Sequence, residues 1–321
     1  MTLDIIVPHY KEPWETCRYL FDSIAMQRGI PFDLIKVIVV NDGDECVLEI
    51  PKYPYEVKYI VKQHEGVSAA RNCGLDQSDA DYVMFCDIDD GFLSNYGLHL
   101  VFSAMQDGTD FIYSNFIEET YDKNGNQTIT SHNKDLTFMH GKVYRRQFLI
   151  EKDLWFDPDM TIHEDGYFNM VAYVTAKNEG TMKCIETPFY IWCWNNNSVV
   201  RSDKKDFVLK TYPDVLKTRH GISEQLKKRG YEEDFVVATI MTVLNCYYDF
   251  QKPAWSRAEN ARYVRIAEKE FKAYWQKYKD VFNNCTNEKI SNAAIAARQV
   301  ALGNGFLLEK ESLKEFLKRV G

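Results

Sequence analysis

Hydrophobic and polar positions change period several times in the first hundred residues. Residues 3–7 form a short, largely apolar run. After it Cys17, Leu20, Phe21 and Ile24 recur at spacings of three and four, which marks one buried face of a helix. Strand signals return at 34–40, a continuous β-branched run, and at 57–61, while 68–75 reads as helix and 82–86 as a buried strand. Strand and helix in alternation predict an α/β fold, with a mixed, mostly parallel sheet covered by helices on both faces. From residue 110 to 201 the pattern is mixed. A strand is expected at 111–117, a turn at Lys123, Asn124, Gly125 and Asn126, and a helix at 166–176. Beyond Ser202 the periodicity becomes helical, so two parts are expected, a sheet-forming domain over 1–202 and a helical C-terminal region over 203–321. Within the latter, Val264, Ala267, Phe271, Tyr274, Tyr278 and Val281 define an amphipathic helix over 255–282. Its basic, aromatic face either meets an anionic partner or the surface of a membrane, as a peripheral contact, or packs on neighbouring helices.

Composition narrows the class. The chain has 321 residues, 45% hydrophobic and 14% aromatic, enough apolar side chain to bury a large core and too much for a disordered polymer. No transmembrane segment is expected, because no window of about 18 residues is free of strongly polar groups. The nearest, 235–248, contains Thr239, Thr242 and Asn245. Met1 to Asp4 lead into the first apolar run without a basic segment or a small-residue cleavage site, so no secretory signal is expected. The eight cysteines are never closer than nine positions apart, which excludes Cys-x-x-Cys redox and zinc-ribbon spacings and fits a reducing, cytoplasmic setting. The formal charge of −8 is uneven, −14 over 1–202 and +6 over 203–321. That balance argues against broad nucleic-acid affinity, and Glu259, Glu268, Glu270 and Asp280 interrupt the basic helix face.

In open sheets of this kind ligands bind beyond the carboxyl ends of the strands, so the polar residues after each apolar run carry the chemistry. These are Pro8-His9-Tyr10-Lys11-Glu12, Asn41-Asp42-Gly43-Asp44 and Asp87-Ile88-Asp89-Asp90. Three carboxylates packed after a buried strand repel one another unless a cation offsets them, and oxygen-only ligands suit magnesium or manganese. A solvated acidic turn capping the next helix is the other reading. Glu164 and Asp165 precede a helical run, where they either compensate the helix dipole or supply a general base.

Taken in order, five motifs resemble glycosyltransferase family two, the inverting nucleotide-sugar glycosyltransferases of the A-type (GT-A, Rossmann-like) fold. They are Val7-Pro8-His9-Tyr10-Lys11-Glu12, Val40-Asn41-Asp42-Gly43, the segment from Gly66 through Arg71-Asn72 to Leu75, Phe85-Cys86-Asp87-Ile88-Asp89-Asp90, and His163-Glu164-Asp165. The resemblance implies a nucleotide-binding loop containing Pro8, with Tyr10 stacked on uracil and Glu12 near the nucleoside. Asp42 would accept a hydrogen bond from the base, and Arg71 would reach the base or the phosphates. Asp87 would bind the ribose or a metal-bound water, and Asp89, in an Asp-x-Asp motif, would ligate Mn2+ or Mg2+. Asp165 would be the catalytic base, with Glu164 orienting it or the acceptor. His140 and Lys142 would lie beside the donor sugar, and Arg201 or Ser198 would touch the diphosphate. Arg145 and Arg146, if both lie on a strand, point to opposite faces. Trp192 and Trp194 offer either a sugar-stacking face or core packing. Two positions depart from the family pattern: Lys11 stands where Asn is frequent, and His163 where Gly is common.

The activity so implied is metal-dependent transfer of a hexose, with UDP-glucose the first choice of UDP-sugar donor, to a hydroxyl acceptor with inversion. Saccharides, wall polymers, proteins, small molecules and modified bases all present such hydroxyls. Two other classes use related architecture. A nucleotidyltransferase would carry a Gly-rich phosphate loop near its first strand, which residues 8–12 are not, and a non-catalytic nucleotide-sugar-binding module would have no need of the full acidic set.

Overall fold

The computed structural model describes residues 1–43, 45, 47–122, 124–195, 207–303 and 310–321. The chain divides into two compact units, Met1–Asn196 and Asn197–Gly321, slightly ahead of the boundary expected after residue 202.

In the first unit, strand β1 (Leu3–His9) is buried on both faces, which is why its sequence reads as a run and not as an alternation. Leu3, Ile5 and Val7 join a core cluster with Cys17, Leu20, Phe21 and Ile24 of helix α1 (Trp14–Ala25). Ile6 faces the other way, toward Gly74 of α2 (Val67–Asp76), and a Cβ built on Gly74 would overlap the Ile6 Cγ2 methyl. Gly74→Ala is therefore expected to destabilise the unit by about 1–3 kcal/mol through overpacking. Urea unfolding would read this as a lowered midpoint, and an unchanged midpoint would mean that α2 is free to shift.

Strand β1 pairs in parallel with β2 (Ile35–Asp42) and β4 (Tyr82–Phe85), and β2 pairs in parallel with β3 (Glu56–Lys62). Their register aligns the strand ends. His9 lies opposite Asn41, Asp42 opposite Lys62, and the Cys86 amide donates to Ile6, so the chain leaving β4 emerges beside Val7 and Pro8. The rest of the sheet is mixed. β8 (Lys142–Arg145) runs antiparallel between β4 and β6 (Phe111–Tyr121), and β9 (Met182–Trp192) runs parallel to β6. The two-residue β5 (Gly91–Phe92) pairs with β9, and β7 (Gln127–His132) forms a hairpin with the outer half of β6. Of the expected turn, Asn124, Gly125 and Asn126 lie at the tip of that hairpin, with Gly125 at φ 80° and Asp122 accepting from the Asn124 and Asn126 amides, and Lys123 lies outside the described residues. The resulting order is β3-β2-β1-β4-β8-β6-β9-β5, with β7 on β6. α3 (Gly97–Met105) shares the cluster of α1, while Phe168 of α5 (Glu164–Glu179) packs on Phe85, on the side of the sheet that carries α2.

One expected strand feature is corrected. β8 ends at Arg145, and Arg146 opens the short helix α4 (Arg146–Glu151), so the two arginines do not alternate across a strand. Arg145 is drawn to the Asp110 carboxylate at 2.6 Å.

The second unit is helical: α6 (Phe207–Lys210), α7 (Tyr212–Lys228), α8 (Glu232–Asp249), α9 (Ala261–Asn283), α10 (Asn287–Gly303) and α11 (Leu313–Val320). The helix expected from residue 255 begins later, at Ala261. Pro253–Ser256 and Ala258–Asn260 form 3₁₀ turns instead, held by the Asn260 side chain donating to the Ala254 carbonyl. The aromatic face of α9 is used inside the unit. Tyr274 hydrogen-bonds Ser223 at 2.9 Å, Tyr278 meets Phe235, and Phe271 meets Phe316. Among the described residues no helix is long and apolar enough to cross a membrane.

Candidate active site

The site is built on the carboxyl edge of the parallel strands. Asp42, the last residue of β2, is buried, and four groups converge on its carboxylate. Lys62 Nζ and the Glu65 amide donate to Oδ1 at 2.9 and 3.0 Å, the Gly66 amide donates to Oδ2 at 2.8 Å, and His64 Nδ1 lies 2.8 Å from Oδ2. Burial alone would raise its pKa, but the Glu65 amide, Lys62 and the Gly66 amide outweigh it and hold the carboxylate below its ordinary value. Gly43 turns through φ 83° against the His64 backbone, where a side chain would collide.

His64 carries the ring of Tyr10, stacked at 4.4 Å and 15°. Lys11 adopts φ 71°, which brings its ammonium 4.6 Å from the Tyr10 centroid. The Tyr10 amide donates to Glu12 Oε2 at 2.7 Å. Burial pushes the Glu12 carboxyl up despite that bond, and the charge of Asp89 adds to the shift. His9, Lys11, Glu12, Val47 and Leu48 line an adjoining cavity of about 410 Å³. Pro8 is half-buried in β1 opposite Val40.

A second group lies beyond β4. Arg71, on α2 and 3% exposed, donates from Nη1 to Glu164 Oε1 at 2.7 Å and from Nη2 to Asp87 Oδ1 at 2.8 Å. Burial works against its charge, but Asp87, Glu164 and Asp165 together outweigh it and hold the guanidinium above its ordinary value. Glu164 and Asp165 open α5 after His163, which takes up the left-handed conformation at φ 63°. That backbone explains why glycine suits this position and why histidine, though strained, leaves the helix start intact. Asp165 accepts from the Gly166 amide at 2.7 Å. Burial and then the Glu164 charge push the Asp165 carboxyl up to about 7, against the pull of Arg71.

The three acids after β4 separate by burial. Asp87 and Asp89 are half-buried and Asp90 is fully buried. Asp89 accepts from the Asn195 side chain at 2.8 Å. Asp90 accepts from the Tyr190 hydroxyl at 2.7 Å and the Cys193 amide at 2.9 Å, and burial, reinforced by Asp87 and Asp89, pushes its carboxyl well up. His140 is buried among the rings of Phe116, Phe138, Tyr190 and Trp192. Burial takes its pKa down to about 3, so the imidazole is neutral. Its Nδ1 lies 3.4 Å from Asp90 and has no hydrogen-bond partner among the described residues.

Among the described residues Asp87, Asp90 and His140 bring one ligand atom each within 4.8 Å of one another. Two carboxylate oxygens and a neutral imidazole fit a divalent ion such as Mn2+. Asp89, the metal ligand expected from the motif, with Asp87 on the ribose or a metal-bound water, falls outside this cluster and engages Asn195. Lys142 is fully buried, its Nζ 3.5 Å from the His140 carbonyl and 4.0 Å from Asp135, and burial takes its pKa down to about 8. Arg201 and Ser198 lie outside the described residues.

The structure thus brings Arg71, Asp87, Glu164 and Asp165 into one charged network. Tyr10, Glu12 and Asp42 form a second group at the ends of β1 and β2, and His140 and Lys142 are buried. Sequence reasoning missed Tyr190 and the Cys193 amide as partners of Asp90, and Lys62 and His64 as partners of Asp42. No local signal marks these contacts, because they join positions 100, 103, 20 and 22 residues apart.

Comparison with known proteins bears on this arrangement. Residues 4–165 match the family model described as Glycosyl transferase family 2. The Bacillus subtilis (strain 168) protein named Uncharacterized glycosyltransferase YwdF is 28% identical over 243 residues, covering 70% of this chain and 86% of that protein. Poly(ribitol-phosphate) beta-N-acetylglucosaminyltransferase TarS of Staphylococcus aureus (strain Mu50 / ATCC 700699) is 26% identical over 195 residues, covering 55% of this chain and 33% of TarS. The crystal structure of S. aureus TarS 1-349 in complex with UDP matches with a TM-score of 0.59 at 15% identity, over 93% of this chain and 92% of that one. At that identity the likeness is one of fold.

Proposed function

Because the chain belongs to glycosyl transferase family 2 and is a glycosyltransferase, we propose that it moves a hexose from a UDP-sugar to a hydroxyl acceptor by a single inverting displacement, with Asp165 as general base. The observation that carries this reading is the convergence of Asp87, Glu164 and Asp165 around Arg71, at the edge of the sheet where such folds bind ligands. A bound Mn2+ or Mg2+, held by Asp87 and Asp89 or by Asp87 with Asp90 and His140, would offset the charge of the leaving diphosphate.

The chain's own residues supply the rest. Tyr10, already face to face with His64, presents a planar surface suited to uracil, with Pro8 and Glu12 bounding the same loop. Asp42 supports that loop from beneath by gathering Lys62, His64 and the Glu65 and Gly66 amides. Its carboxylate meets the base only by exchanging one of those partners. Lys142 and His140 belong on the donor-sugar side of this scheme, both buried, with Lys142 Nζ 3.5 Å from the His140 carbonyl. Asp165 takes the acceptor proton while the hydroxyl attacks the anomeric carbon from the face opposite the diphosphate, so an α-linked donor gives a β-linked product. TarS is named as an N-acetylglucosaminyltransferase, and UDP-GlcNAc therefore joins UDP-glucose as a donor to test.

A base must be ionised to act, and burial with Glu164 raises the Asp165 pKa to about 7. kcat/KM is accordingly expected to fall about tenfold per pH unit below that value and to level off above it. A rate flat from pH 5 to pH 8 would remove Asp165 from this role. The direct test of the transferase reading is UDP release from UDP-glucose and UDP-GlcNAc across a panel of hydroxyl acceptors. Turnover should require Mn2+ or Mg2+ and stop with EDTA, and metal-independent turnover would count against the metal-assisted scheme.

A further inference from the structure

Arg71 stands between the donor side of the site and the base side, and its surroundings leave it little freedom. Its two terminal nitrogens each donate to Asp87 or Glu164, its guanidinium lies 5.3 Å from the Phe156 ring centroid, and its buried Nε has no hydrogen-bond partner among the described residues. At 3% exposure the guanidinium is turned inward, onto two carboxylates and an aromatic ring.

The neighbours of Arg71 on α2 grip the same stretch of chain. Asn72 exchanges two hydrogen bonds with the Phe156 backbone, at 2.8 and 3.0 Å, and the Ser68 hydroxyl donates to the Met160 carbonyl at 3.2 Å. Ser68, Asn72 and Arg71 thus hold Met160, Phe156 and Glu164 in turn, clamping the segment that leads into Asp165. The Gly66 amide, preceding the same helix, binds Asp42. One helix therefore touches the nucleotide-side loop, the acidic motif after β4 and the start of the base helix.

We infer that Arg71 is a positioning residue that aligns the Asp165 base with the donor-side carboxylate Asp87 by bridging Asp87 and Glu164, and is not a nucleotide contact. The planar fork of arginine sets the separation of the two carboxylates, which a lysine ammonium cannot do. The inference rests on Asp165 being the base.

The test uses the full chain, with UDP-glucose or UDP-GlcNAc turnover and calorimetry of UDP with Mn2+. Arg71→Lys is expected to keep UDP affinity and donor KM within about threefold of wild type while kcat falls about 100-fold, the scale of a small misplacement of reacting groups. Glu164→Gln removes the other end of the bridge without touching α2 and should show the same split, with the double variant no worse than the poorer single one. If Arg71→Lys does not fold, Arg71→Gln, which keeps a planar hydrogen-bonding head without the fork, is read in its place against the same thresholds. A loss of UDP affinity of about tenfold or more with kcat retained would make Arg71 a nucleotide contact and overturn the proposal, as would wild-type kcat in either variant. A wild-type chain silent on every UDP-sugar would overturn both the transferase reading and this one, whereas active wild type with active Arg71→Lys overturns this one alone.

Discussion

Asp165→Asn should retain UDP and lose turnover by about three orders of magnitude, within the range for removal of a general base. The amide is nearly the same size as the carboxylate, and its oxygen still accepts the Gly166 N–H that the acid accepts at 2.7 Å. What it lacks is basicity. The substitution also takes one negative charge from a crowded group, since Glu164 and Asp87 both raise the Asp165 pKa, so folding stability should not suffer. Calorimetry of UDP with Mn2+ then separates binding from chemistry: unchanged affinity with lost kcat identifies a group that acts in the transition state. Wild-type kcat would reduce Asp165 to an acid that complements the helix dipole.

The second large effect concerns the cation. Asp89→Ala is expected to weaken UDP binding about 100-fold when Mn2+ is present and to leave metal-free UDP binding nearly unchanged, because a ligand lost is felt at least as strongly as a supporting partner lost. Asp89 is half-buried and accepts from the side-chain amide of Asn195, a bond easily exchanged. Asp90 is differently placed. It is fully buried, its oxygens accept from Tyr190 and the Cys193 amide, and burial favours its protonated form. The contrast to measure is Asp89→Ala against Asp90→Asn, each with and without Mn2+. If Asp90→Asn abolishes the metal dependence in a folded protein and Asp89→Ala does not, the ion belongs to the cluster of Asp87, Asp90 and His140.

Local pattern carried the sheet-forming part of the chain well. Buried parallel strands are apolar on both faces, so β1, β2 and β4 could be read from composition alone, and the helix periodicity of α1 survives because only one of its faces meets the core. Pattern failed where side-chain chemistry ended an element. Arg145 and Arg146 read as neighbours on a strand, yet the chain turns into a helix between them. Residues 255–260 read as helix, yet Pro253 and the Asn260 side chain hold the chain in 3₁₀ turns. The aromatic face of α9 carried two readings that periodicity cannot separate, since a helix side facing a membrane and one facing another helix use the same residues; contacts with Ser223, Phe235 and Phe316 decide for the second.

From its sequence alone this protein declared its family, its strand-end acids and the order in which they occur, because each is a local arrangement of residues along a few turns of chain. Which acids meet was decided by tertiary structure. Asp87, Asp89 and Asp90 are near neighbours in sequence, but the first pairs with Arg71, the second with Asn195 and the third with Tyr190, since successive residues leaving a strand point in different directions and meet different elements. Burial, which raises the Asp165 pKa and keeps His140 neutral, and the double commitment of Arg71 to carboxylates 16 and 93 residues away exist only once the chain has folded.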